Sequence, residues 1–129
     1  MAGFLTDEWF ALTRDALSTL PACAGATAAL QYIVAGSPAG KVQFVARIVD
    51  GQVTELAAGK SASVDCTVQC SYKDARAIFD GTVSRDVSFM RGDLKIDGAY
   101  TAYVLRLAPF FNAAQTEAAV QSVRARTEF

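Results

Sequence analysis

The chain has 129 residues, 52% of them hydrophobic, and sets twelve Lys and Arg against thirteen Asp and Glu for a net charge of −1. That suits one domain, residues 1–129, with no room for a second, and the lack of any block of like charge argues against a nucleic-acid partner. No apolar run approaches the roughly 20 residues that cross a bilayer, so no integral membrane segment is expected.

Histidine is missing altogether, which removes Ser-His and Cys-His catalysis and the commonest zinc ligand together. With three cysteines and no Cys-x-x-Cys pair, the expectation is no metal, no cofactor and no catalytic residue. Asp7 and Glu8 stand where a secretory signal carries cations before an apolar run, and the cysteines fit a reducing compartment, so a cytoplasmic location is expected. Cys66 and Cys70 fall on one predicted strand, about 13 Å apart, too far to bridge each other.

Thr6 caps a predicted helix whose first turn holds Asp7 and Glu8, suited to the positive end of the helix dipole. Leu5, Trp9, Leu12, Ala16 and Leu20 give it one apolar face, and Pro21 ends it. Residues 27–34 read as a strand and Gly36 to Gly40 as a loop. Residues 41–49 and 52–57 form a hairpin about Asp50-Gly51, whose glycine takes a positive φ readily. Phe44, Ala46 and Ile48 face one way, Gln43 and Arg47 the other. Val42, Val45, Val49 and Val53 leave a self-association surface, and with it a homodimer, open.

Residues 64–71 alternate strictly, as in a strand with one buried face. Ser71 and Asp74 then approximate a capping box for a short helix burying Ala75, Ile78 and Phe79 and stopping at Gly81. Residues 84–91 give a second short helix offering Val87, Phe89 and Met90. A fifth strand over 93–97 turns Leu94 and Ile96 inward. Tyr100, Tyr103, Val104 and Leu107 define a helical face that Pro109 breaks or kinks, followed by Phe110 and Phe111. Residues 112–126 make a last surface helix with a weak stripe through Val120 and Val123. This order predicts an α+β fold, a five-stranded, mainly antiparallel (mixed) sheet with helices covering one face.

The hairpin from Ile48 to Gly59, the strand and helix from Val64 to Gly81, and the run from Ser88 to Gly98 resemble the sterol carrier protein 2 family. Phe89-Met90-Arg91-Gly92-Asp93-Leu94-Lys95-Ile96-Asp97-Gly98 is similar to that family's Phe-Met-x-Gly-x-Leu-x-Ile-x-Gly signature. The resemblance implies an apolar tunnel between sheet and helices for a sterol, fatty acid or fatty acyl-CoA. Its implied wall is Phe79, Phe89, Met90, Leu94, Ile96, Tyr103, Val104, Leu107, Phe110 and Phe111. Taken without the resemblance, the same aromatics simply fill a core.

Arg47, Arg85, Arg91 and Lys95 are candidates for a CoA phosphate at the tunnel mouth, and the tail beyond Pro109 is a candidate lid. A dimerising or substrate-presenting module for a partner enzyme is the alternative function. A small enzyme is a further one, with Tyr100, Tyr103 and Asp65 as its available acid–base groups but in no recognised constellation.

Overall fold

The structure, a computed structural model, describes residues 2–38 and 40–128, with Asp86 and Val104 as backbone only. Its centre is a hairpin of β2 (Ala28–Ser37) and β3 (Gly40–Val49) continued into β4 (Gln52–Ala58). Asp50 and Gly51 both take positive φ, 48° and 80°, the pairing that a two-residue turn with right-handed strand twist demands. The predicted loop over 36–40 is tighter than expected: β2 runs to Ser37 and β3 starts at Gly40, while Ala39 lies outside the described residues.

A bulge shifts the β3–β4 register so that Arg47 opposes Glu55 while Ile48 opposes Val53, leaving Thr54 as the extra residue. Val53 and Leu56, three apart, therefore both turn inward, as a bulge permits and strict alternation would not. Val42 pairs with Val34 on that same inner side. The expected valine surface does not form: Val42 and Val53 face inward and Val45 is buried, leaving Val49 exposed.

The next strand, β5 (Cys66–Ser71), pairs with β2 in parallel, and β6 (Lys95–Gly98) pairs antiparallel with β5, giving the order β4-β3-β2-β5-β6. The sheet is thus mixed. On its outer face Gln31 is buried. Its Nε2 donates to the carbonyls of Phe44 and Gly59, and its Oε1 accepts from the Ser61 amide at 2.8 Å, which straps the chain after β4 across the sheet. A buried amide needs such partners, because an unpaired polar group away from water costs about 1–3 kcal/mol.

The inner face receives α1 (Asp7–Ser18), capped by the Thr6 hydroxyl, which accepts from the Trp9 amide at 3.3 Å. The helix stops short of Pro21. Ser71 caps α2 (Tyr72–Phe79) in the same way through the Asp74 amide, and Ser84 caps α3 (Arg85–Met90) through Val87. The expected helical face after Tyr100 forms over Ala102–Arg106 as a π turn, where the Leu107 amide reaches back five residues to the Ala102 carbonyl at 3.1 Å. The widening precedes α4 (Ala108–Phe111), which carries Pro109 in its first turn, where its missing donor leaves no bond unmade.

The last helix, α5 (Ala114–Ala125), is less superficial than its sequence predicts. Val123 has no exposed surface, and the helix packs on α1. Beyond it β7 (Thr127–Glu128) forms a parallel ladder with β1 (Ala2–Gly3), and the Trp9 indole donates to the Thr127 hydroxyl at 3.2 Å. The segment beyond Pro109 is therefore built into the fold and is no free lid. Among the described residues no helix is long and apolar enough to cross a membrane.

Candidate functional site

Helix α2 is apolar on one side, yet it has no fully buried residue. The reason is that Ala75, Ile78 and Phe79 face a cavity of about 440 Å³ between the sheet and the helices, a volume within the roughly 300–1,000 Å³ usual for small-molecule sites. Tyr32, Val34, Phe44 and Ala46 supply its sheet wall. Ile48, Val53 and Leu56 extend that wall toward the β4 edge, and Leu94 lies on the side of β5 and β6. Trp9, Thr13 and Leu17 supply the helical wall over β4, and Phe4, ahead of α1, stacks on Phe79 at 5.1 Å. The rim carries Gly81, Ser84, Asn112 and Glu117, all exposed.

Of the wall expected from the sequence, Phe79, Leu94, Tyr103, Phe110 and Phe111 line this cavity. Phe89 and Ile96 are half-buried against the core without reaching it, and Leu107 is wholly buried in the core. Met90 points to solvent with 84% of its surface exposed, because α3 turns Ser88 inward instead. The side chain of Val104 lies outside the described residues. Trp9, Thr13, Leu17, Phe44, Val53 and Leu56 were not among the expected wall residues; the apolar stripe of α1 signalled Trp9 and the parity of β3 signalled Phe44, whereas Thr13 and Leu17 lie off that stripe and Val53 was expected on the opposite face.

The cavity also holds polar groups. Tyr32 stacks on Phe44 with ring centroids 4.7 Å apart and planes 6° from parallel. Tyr103 leans on Phe111 at 5.3 Å, and the Arg85 guanidinium sits 3.8 Å from the centroid of the Phe111 ring. Burial raises both phenols, Tyr32 well above its ordinary value and Tyr103 to about 12, against the opposing charge of Arg85. Both therefore remain neutral hydroxyl donors at physiological pH. Thr13 Oγ1, on a residue 7% exposed, is buried with no hydrogen-bond partner among the described residues. A buried hydroxyl on a cavity wall in that state awaits water or a ligand's polar atom.

Of the other charged candidates, Lys95 is exposed on β6 away from the cavity wall, and the two arginines are engaged elsewhere. Arg47 pairs with Glu55 and donates to the Ser61 hydroxyl and the Ser63 carbonyl on the outer face, and Arg91 pairs with Asp93 at 3.0 Å. At the rim Arg124 donates twice to the Phe79 carbonyl, at 3.0 and 2.7 Å, and lies 3.9 Å from Glu117. Asp65 is structural, accepting from the Ala29 amide at 2.7 Å. Tyr100 is exposed and Tyr103 buried, so the three acid–base candidates stand in different surroundings.

Cys66 and Cys70 are free, and burial raises both thiols from 9.0 to about 11. The folded chain then keeps protons that the unfolded chain loses above pH 9, so this contribution to stability is whole below pH 9 and is lost between pH 9 and about 11. Thermal melts under reducing conditions should fall from pH 8.5 to pH 10.5, and should fall less in the Cys66→Ala, Cys70→Ala double variant. Equal falls in both proteins would place the alkaline weakness elsewhere.

No curated protein sequence matches the chain. Among solved structures, a crystal structure of sterol carrier protein 2 is 21% identical, with a TM-score of 0.68, covering 94% of this chain and 97% of its own. A Thermus thermophilus protein described as possibly a sterol carrier protein is 18% identical at a TM-score of 0.65, covering 100% and 94%. The palmitated sterol carrier protein 2-like 2 of Aedes aegypti is 18% identical at 0.56, covering 78% and 85%. At these identities the likeness is one of fold, the α+β fold with a five-stranded mixed sheet described above. Residues 8–112, which carry α1, the whole sheet and the cavity's sheet wall, match the SCP-2 sterol transfer family, and the chain accordingly belongs to that family of lipid-binding and lipid-transfer proteins.

Proposed function

We propose that this chain binds and carries one apolar or amphiphilic lipid, a fatty acid, sterol or fatty acyl-CoA, within the cavity between its sheet and helices. The observation that supports this reading is the largely apolar, 440 Å³ space itself, bounded by aromatic and branched side chains. At about 25 cal/mol per Å² of apolar surface removed from water, a single long acyl chain or ring system gains enough for micromolar binding without any charged contact. Phe79, Leu94, Tyr103, Phe110 and Phe111 are the contacts we assign to it, together with Trp9, Phe44, Val53 and Leu56 from the opposite wall.

Native mass spectrometry of the freshly purified protein, followed by solvent extraction, tests the reading. A stoichiometric lipid released on extraction is the expected result. The chain has one tryptophan, and it lies on the cavity wall, so added lipid should also change the Trp9 fluorescence. An empty protein whose emission stays constant on titration with hexadecanoate and with cholesterol would overturn it.

A further inference from the structure

Arg85 is the cation whose charge the fold leaves unanswered on the cavity wall. It stands at the first position of α3, half-buried, with its guanidinium over the Phe111 ring. Among the described side chains no carboxylate pairs with it, whereas Arg47, Arg91 and Arg124 each have one. Glu117, the acidic group on the same wall, is engaged with Arg124. The Tyr103 hydroxyl accepts from Arg85 and is hydrogen-bonded in turn to the hydroxyl of Tyr32, and both phenols are neutral.

A guanidinium with neutral hydroxyl donors beside it presents N–H and O–H groups in one place and offers no competing anion. The group that answers all of them is a carboxylate, flat, singly charged and able to accept two parallel bonds from the guanidinium fork. A sterol hydroxyl would leave the charge unmatched. Leu17, Val53 and Leu56, on the β4 side of the cavity, are apolar and suit the tail of the same molecule, with the Thr13 hydroxyl as the polar group on that wall. We propose that Arg85, with Tyr103 and Tyr32, forms a carboxylate subsite that makes the cavity prefer a long-chain free fatty acid to a neutral lipid of equal length. This rests on the cavity reading given above.

The test compares hexadecanoate with hexadecan-1-ol at pH 7.5 by calorimetric titration of the full chain. A charge-assisted bond contributes about 1.5–3 kcal/mol, so the acid should bind roughly ten- to hundredfold more tightly than the alcohol. Arg85→Gln should erase that preference, chiefly by weakening the acid. Arg85→Lys should retain part of it, and Tyr103→Phe should weaken the acid more than the alcohol. Alcohol and acid binding equally to the unaltered protein would overturn the subsite and leave the cavity reading intact, whereas failure of both would remove the cavity reading itself. A parallel loss of both ligands in Arg85→Gln, with Arg85→Lys no better, would make Arg85 a structural residue and overturn the proposal as well.

Discussion

Replacing Ala46 with tryptophan is expected to remove most long-chain lipid binding while leaving the chain folded. Ala46 lies on the inner face of β3, between Leu30 and Leu56 in register, and its side chain forms part of the cavity floor. Inserting bulk into a close-packed core costs about 1–3 kcal/mol, but here empty space receives the indole. A ligand that loses on the order of 100 Å² of apolar contact forfeits about 2.5 kcal/mol, a weakening of roughly fifty- to hundredfold. Displacement of a fluorescent fatty acid measures it, with far-UV circular dichroism as the check on folding. Unchanged affinity in a folded variant would mean that lipid binds somewhere other than this cavity.

Trp9→Ala should have the largest effect on stability. The indole meets Phe4 edge-on at 5.1 Å, Phe10 at 5.5 Å and Phe79 at 5.4 Å, and its Nε1 donates to the buried Thr127 hydroxyl. Truncating a buried Trp costs about 3–5 kcal/mol, a large part of the roughly 5–15 kcal/mol that holds an ordinary domain together. With a urea dependence of about 1–3 kcal/mol per molar, the denaturation midpoint should drop by more than 1 M. Thr127→Val, which also removes the hydroxyl's 2.7 Å bond to the Val123 carbonyl, should lose about 1–3 kcal/mol. A Trp9→Ala loss no larger than that of Thr127→Val would show that the aromatic cluster adds nothing beyond the hydrogen bond.

The elements most legible in the sequence were those whose cause is local. Asp50-Gly51 makes a hairpin because of backbone sterics confined to two residues, and Thr6 and Ser71 cap helices because a hydroxyl reaches an amide three residues on. The fold class followed from the order of such pieces. Long-range pairings were less legible: nothing in residues 66–71 distinguishes a parallel neighbour from an antiparallel one, and two-residue strands such as β1 and β7 leave no periodic trace. The valine surface failed on parity, since Val42 shares the direction of Phe44, and a bulge at Thr54 then resets the direction of Val53.

For the cavity, the family pattern pointed to α3, β6 and the turn after Gly98, and some of their residues do reach the wall. Met90 does not, because in a six-residue helix a single inward residue, Ser88, fixes the rotation of all the others. The α1 wall went unassigned because an apolar helical stripe reads as core, and only three-dimensional packing reveals that Thr13 and Leu17 border a space. Arg85 was one cation among several in sequence. What separates it is the absence of a carboxylate among its described neighbours, which depends on side chains brought together from distant positions.

The short ladder between β1 and β7 bears on how the cavity is enclosed. The Trp9–Thr127 bond joins residues 118 apart, whereas the Asp65 side chain and the Ala29 amide, inside the sheet, are 36 apart. Loop closure costs about 0.6 kcal/mol more for each doubling of length, so the ends carry roughly 1 kcal/mol of additional chain entropy. The aromatic contacts of Trp9 and the Ala2 and Phe4 amides, which donate to the Arg126 and Glu128 carbonyls, offset that cost. The helices flanking this ladder, α1 and α5, both line the cavity, so the ladder clamps two of its walls together while taking no part in the five-stranded sheet.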